Sequence, residues 1–155
     1  ATADSSQEAV RRGLRVARNA APADEKLAVL PLEYLTWLRV NEVEGAFLAG
    51  TEDPAAILDT LTARYPETTV VLTLGSQGSA AARGGQRVRV PARQVSVVDT
   101  TGAGDTFTGY FLRRALEGGS LEDALALATA ASALAVSRPG AAASVPDYDE
   151  VLSTC

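Results

Sequence analysis

Gly102, Gly104 and Asp105 are the residues of this chain best placed to do chemistry. They lie within Asp99-Thr100-Thr101-Gly102-Ala103-Gly104-Asp105-Thr106-Phe107, where the glycines remove the Cβ atoms that would hold a ligand away from the backbone. The apolar run Val95-Ser96-Val97-Val98 before this segment reads as a strand, and Phe107, Tyr110, Phe111 and Ala115 after it share one helical face. A glycine turn that opens a helix makes an anion site. The first N–H groups have no partner inside the helix, and the helix dipole favours negative charge there. Asp105 in such a turn repels a phosphate unless it has a task, and the task that suits it is taking a proton from a hydroxyl that attacks phosphorus. A helix capped by an acidic residue is the competing reading, and the spacing alone does not choose between them.

The elements that must hold this turn alternate between helix and strand. Ser5-x-x-Glu8 reads as a capping box opening a short helix that Gly13 ends. Leu14 to Asn19 reads as a strand, Pro31 as the first turn of a helix carrying Leu32 and Leu35, and Trp37 to Val40 as a strand leading to Asn41. Asp53-Pro54 opens a helix with Ile57, Leu58 and Leu61 on one face, and Val70 to Leu74 is a continuous apolar run typical of a strand buried on both faces. Gly84-Gly85 between Ala80–Arg83 and Gln86–Val90 is a hairpin signal. Ser120-x-x-Asp123 caps a helix bearing Leu121, Ala124, Leu125, Ala128 and Ala135, and Asp147-x-x-Glu150 caps the last one. Such alternation implies an α/β fold, a largely parallel sheet covered by helices, with one antiparallel hairpin. Asn41 and Glu44 share a helix face if the chain turns helical there. An amide and a carboxylate at a strand end can hold the water shell of Mg²⁺, although a solvated helix charge is the plainer reading. Gly75 and Gly78 follow a strand end, where open α/β sheets bind ligands, or they only shape a turn.

Composition narrows the partners. The chain has 155 residues, 46% hydrophobic and 21% charged, which suits a globular domain. A net charge of −5 with no basic run argues against nucleic acid and anionic membrane. An acidic protein that binds a phosphate must focus positive potential locally, as a helix N-terminus does. The single cysteine, Cys155, excludes an internal disulfide and suits a reducing cytosol, so a cytoplasmic location is expected. No signal peptide or bilayer-length apolar run is visible. Histidine is absent, which excludes His-based catalysis and His metal ligands.

The segment 99–107 resembles the second signature of the ribokinase family of carbohydrate kinases, also called the phosphofructokinase-B family. Asn41-Glu42-Val43-Glu44, followed by Leu48, Ala49 and Gly50, is similar to that family's Asn-x-x-Glu motif. Val70 to Gly78 resembles its strand followed by Thr-Leu-Gly-x-x-Gly. Ala135 to Ala141 and Ser144-Val145-Pro146 resemble its closing segment. Arg18 to Ala23 resembles a stretch that usually reads Asn-Pro-Ala-Pro-Ala, with Ala20 in place of a proline.

The resemblance implies a ribokinase-like three-layer, Rossmann-like fold and ATP-dependent phosphorylation of a sugar or sugar-like hydroxyl. It implies Asp105 as base and the N–H groups of Gly102, Ala103, Gly104 and Asp105 as the anion hole. Asn41, Thr73, Gly75, Ser76 and Gly78 would lie toward the nucleotide. Thr129 stands where many relatives have Asn near the adenine, and it could equally be a small helix-packing residue. Glu44 would serve Mg²⁺, and a potassium-sized ion would sit among oxygens of Asp99, Thr101, Ala135, Arg138, Gly140 and Ser144. The matches begin in the middle of the family's sequences. This implies that residues 1–155 form the C-terminal, nucleotide-binding part of a kinase domain, without the N-terminal strands and the β lid that hold the sugar. On that expectation the chain alone does not phosphorylate a sugar, and an unpaired sheet edge invites self-association. The alternative is a non-catalytic nucleotide-binding fragment or a remnant without sugar kinase activity.

Overall fold

The structure is a computed structural model that describes residues 2–155, with side chains described from Ser5 onward. The chain divides into two compact units, Ala1–Leu74 with Ala80–Arg87, and Gly75–Ser79 with Val88–Cys155.

The first unit is built on parallel strands. Helix α1 (Thr2–Arg11) precedes β1 (Ala17–Asn19), and α2 (Glu25–Ala28) with a 3-10 turn at Leu32–Tyr34 connects to β2 (Trp37–Asn41). Two helices, α3 (Glu42–Ala49) and α4 (Pro54–Arg64), lead on to β3 (Thr69–Thr73). β1, β2 and β3 pair in parallel, with Asn19 opposite Arg39 and Asn41 opposite Thr73. Alternate residues therefore face opposite ways. Leu38, Val40, Val70 and Leu72 turn to one side and join Ile57, Leu58 and Leu61 of α4 in the core. Gly45 lets α3 close on this layer, since a Cβ there would stand 3.0 Å from Ile57 Cγ2. Asp53 caps α4 by accepting from the Ala56 N–H, with Pro54 at the first turn, as the sequence predicts. The sheet continues through β4 (Ser79–Arg83) and β5 (Gln86–Val90) in the order β1-β2-β3-β4-β5. Only Gly84-Gly85 joins the last two strands, so they form the expected hairpin.

The second unit is helical. α5 (Ala103–Leu116) and α6 (Leu121–Val136) pack along each other, and α7 (Tyr148–Thr154) packs against α6. Leu127, Ala130, Ala131 and Val151 form its core, flanked by Tyr110, Leu134 and Tyr148. Ser120 caps α6 through the Asp123 N–H.

Several local expectations need correction. Val95–Val98 forms no strand. Val97 and Val98 are 64% and 60% exposed, and the segment is anchored instead by the Val98 and Asp99 N–H groups donating to the Val136 carbonyl. An apolar run becomes a strand only beside a partner edge, and these residues have none. Ser5 lies inside α1 rather than at its cap, and Leu14 to Val16 precede the ladder of β1. Pro31 precedes a 3-10 turn, not an α-helix. Asp147 makes no side-chain cap on α7.

Candidate active site

In the second unit, Gly102 occupies the N-cap of α5 at φ +77°, a left-handed conformation that suits glycine. No side chain closes that helix end. The Ala103 N–H donates to Thr100 and the Thr106 N–H to Gly102, and the N–H groups of Gly104 and Asp105 have no acceptor among the described residues. One turn into a helix, such unsatisfied donors are ready for an anion.

The turn is held from behind by Asp99. Its Oδ1 accepts from the Thr101 N–H at 2.8 Å and its Oδ2 from the Gly140 N–H at 3.1 Å. The Thr101 side chain above all, and then these two backbone bonds, favour the ionised form and hold the Asp99 carboxyl below its ordinary value. Ala135, Arg138, Gly140 and Ser144 lie on the segment that Asp99 ties down. Ser144 is fully buried and donates to the Ala141 carbonyl. The Arg138 side chain is turned away to Glu150, which raises the one group and lowers the other, so only its backbone oxygen remains for the turn. The Ala135 carbonyl accepts from the Arg138 N–H.

Asp105 is exposed and has no hydrogen-bond or ion-pair partner among the described residues. It lines an open cavity of about 570 Å³ together with Gly102, Thr106, Arg113, Ala141 and Val145. Thr106 Oγ1 is buried beside it without a partner. A free carboxylate, a bare helix end and a cavity thus meet within the second unit. That combination can bind an anion and accept a proton from a neutral donor.

The glycines after β3 differ from each other. Gly75 opens a single 3-10 turn, Gly75–Gln77, and a Cβ there would meet nothing within 4 Å. Gly78, at φ +93°, would place a Cβ 2.1 Å from the Val90 carbonyl oxygen. Packing alone therefore demands glycine at 78, whereas open space at Gly75 and exposed Ser76 leaves room for a ligand. Thr129 is buried, and its hydroxyl donates to the Leu125 carbonyl. The 2.7 Å contact with Ser79 must then use the Ser79 proton. Its hydroxyl is committed to packing.

In the first unit, Asn41 and Glu44 make a reciprocal capping box on α3. Asn41 Oδ1 accepts from the Glu44 N–H and Glu44 Oε2 from the Asn41 N–H, each at 2.8 Å. Glu44 is only 4% exposed, so it is not a solvated helix charge. Among the described residues no group of three acidic or cysteine side chains could hold a metal. Glu44 does not make a metal site by itself. Thr73 ends β3, accepting from Arg39 Nη2 at 3.2 Å and directing its own hydroxyl toward the Val40 carbonyl. Arg39 escapes a reading by motif, because an arginine in a short strand looks like a solvent-facing residue. The lone cation between Leu38 and Val40 was the available signal.

Among the described residues no helix is long and apolar enough to cross a membrane. The pfkB family carbohydrate kinase model matches residues 3–148. A ribokinase of Schizosaccharomyces pombe is 38% identical over 94% of this chain and 48% of its own length, and one of Haemophilus influenzae is 33% identical over 94% and 49%. The chain thus spans about half the length of the curated relatives it matches. Among solved structures, ribokinase from Cryptococcus neoformans in complex with ADP superposes with a TM-score of 0.86 at 29% identity, covering 99% of this chain and 56% of that one. Arabidopsis thaliana ribokinase complexed with ribose and ATP superposes with a TM-score of 0.81 at 33% identity, covering 96% and 49%.

Proposed function

This chain belongs to the pfkB family of carbohydrate kinases, and from that premise we propose that it supplies the nucleotide site and the catalytic base for phosphorylating a sugar or sugar-like hydroxyl with ATP. The observation that carries the reading is the helix end at Gly102, left open beside the free carboxylate of Asp105. The N–H groups of Gly104 and Asp105 receive phosphate oxygens and stabilise the charge that spreads over the transferred group. Asp105 accepts the proton of the acceptor hydroxyl as its oxygen bonds to phosphorus. The bond from that phosphorus to the bridging oxygen breaks, and ADP leaves with the electron pair. Asp99 positions the turn by tying it to Gly140.

Mg²⁺ bound to the nucleotide neutralises its phosphate charge. Glu44, which gives one oxygen to its capping box, is the residue that would serve that metal when it is bound. A monovalent cation among the oxygens of Asp99, Thr101, Ala135, Arg138, Gly140 and Ser144 stiffens the turn when bound. Gly75 and Ser76 serve the nucleotide, and Gly78 shapes their turn.

The test is calorimetry with ATP and Mg²⁺ on the chain and on Gly104→Val. The added side chain sits where phosphate must approach, and binding is expected to vanish. Unchanged affinity in that variant removes the turn from the site.

A further inference from the structure

The cavity beside Asp105 is lined by Asp105, Gly109 and Arg113 of α5 and by Ala141, Ala142 and Val145 of the stretch 140–146. That stretch meets the anion turn at its first residues. The Gly140 N–H donates to Asp99 Oδ2, and a Cβ on Gly102 would stand 3.5 Å from Ala141. Within it, Ser144 Oγ donates to the Ala141 carbonyl and the Val145 N–H to the Ala142 carbonyl, so it moves as one folded piece. Its far end is fixed by a residue of α5 that belongs to none of the motifs: the Tyr110 hydroxyl donates to the Pro146 carbonyl. Pro146 is buried and has no N–H, so its backbone can be tied only through that carbonyl, and the carbonyl needs a donor.

Tyr110 is itself held in place. Its ring stacks on Tyr148 of α7, with centroids 6.1 Å apart and planes 12° from parallel. Tyr148 is pinned in turn, its hydroxyl donating to Glu117 at 3.1 Å and the Arg113 guanidinium lying 3.4 Å from its ring centre. Arg113 also pairs with Glu117. A stacked aromatic ring has little freedom left, so the Tyr110 hydroxyl is presented at one place. Phenylalanine would fill the same space and make the same stack. The hydroxyl is the part that packing does not explain.

We propose that Tyr110 is a positioning residue for the anion turn: its hydroxyl clamps Pro146 and holds the stretch 140–146 along α5, so that Gly140 meets Asp99 and the cavity beside Asp105 keeps its width. What the turn binds rests on the nucleotide reading above. The clamp itself rests on the two bonds that tie the stretch at its ends, Gly140 to Asp99 and Tyr110 to Pro146. A folded piece tied at both ends cannot tilt, whereas one tied only at Gly140 pivots there and loads that single bond. Tyr110 touches no phosphate in this arrangement and acts through Gly140 and Asp99.

The experiment reads Gly140 amide exchange and MgATP affinity, the latter by calorimetry, in the 155-residue chain as wild type, Tyr110→Phe, Tyr148→Phe and Gly104→Val. Tyr110→Phe keeps the stack and loses only the hydroxyl. It is expected to speed Gly140 exchange about tenfold, the scale of one net hydrogen bond, and to weaken MgATP about threefold to tenfold. Tyr148→Phe loses the hydroxyl of the other ring in the stack and should leave both readings at their wild-type values. Unchanged Gly140 exchange in Tyr110→Phe overturns the clamp. Equal losses in both tyrosine variants overturn it too, since the effect is then one of packing. Faster Gly140 exchange with MgATP affinity that holds in Tyr110→Phe but vanishes in Gly104→Val removes Tyr110 from the positioning of the turn and leaves the nucleotide reading standing. A wild type that does not bind MgATP sinks the nucleotide reading, and Gly140 exchange then decides the clamp alone. Should Tyr110→Phe not fold, the hydroxyl proton of Tyr110 in the wild type decides. A slowly exchanging resonance is expected, slower still with MgATP, and a proton that exchanges as fast as a free phenol refutes the clamp.

Discussion

Helices α3 and α5, one in each unit, treat their first N–H groups in opposite ways. At α3, Asn41 and Glu44 satisfy each other's backbone, and the carboxylate is buried in doing so. At α5, glycine takes the cap position, no side chain reaches back, and the acidic residue one turn in stays exposed and unpaired. Both ends present the same orphan donors. A protein closes such an end with its own atoms where it needs stability, and an end left open is stable only when something else completes it.

The largest effect that tests this contrast is on turnover. In a protein that contains this chain and phosphorylates a sugar, Asp105→Asn is expected to lower kcat by roughly 10²–10⁴-fold, the usual range for a lost general base. ATP affinity should hold or improve, since a negative charge beside the phosphates is gone. Activity within a few-fold of wild type would mean that Asp105 only decorates the helix end, and the two helices would then differ in style rather than in purpose.

A smaller effect is expected at the closed end. Asn41→Ala removes the cap and leaves the Glu44 N–H without its acceptor, at a cost of about 1 kcal/mol in urea unfolding. Gly102→Ala at the open end loses no cap, so its cost comes only from the left-handed φ. If Asn41→Ala proves neutral, the capping box is geometry without energy.

The smallest effect is on acid titration. Asp99 has a folded pKa below its ordinary value. Its support of the turn is therefore complete above the unfolded value and is lost as pH falls through the lower folded one. The amide resonances of Thr101 and Gly140 are expected to titrate together, with a midpoint below the model-peptide value of about 3.9, and to lose that transition in Asp99→Asn. A midpoint at or above the ordinary value would show that the ties are not formed in solution.

The fold was legible where local chemistry decides it. Asp53-Pro54, Ser120 and Gly84-Gly85 carry their signals within four residues and are found where expected. Val95–Val98 was misread because composition cannot say whether a neighbouring edge exists. The turn at Gly102 was readable from its glycines, and the resemblance set Asp99 and Gly140 together, but it did not foresee the direct bond from the Gly140 N–H to the Asp99 carboxylate. Glu44 looked like a surface charge until the cap was seen to bury it. Arg39 offered only a lone cation between two apolar residues as a signal, and its bond to Thr73 was not readable, because cross-strand partners depend on register and register is a property of the pair.

The Asp99–Gly140 bond spans 41 positions of chain, and most of the loop it closes is the hairpin of α5 and α6. Closing a flexible loop of that length is entropically unfavourable, while two helices joined by a short link bring its ends together at little extra cost. The hairpin is therefore expected to assemble first, and the anion-binding turn to lock last and open first. Native-state hydrogen exchange should show the Gly140 amide opening without unfolding α6, and a bound phosphate should slow that opening before it protects the helices. Ligand binding would then be read as the lifetime of a single bond.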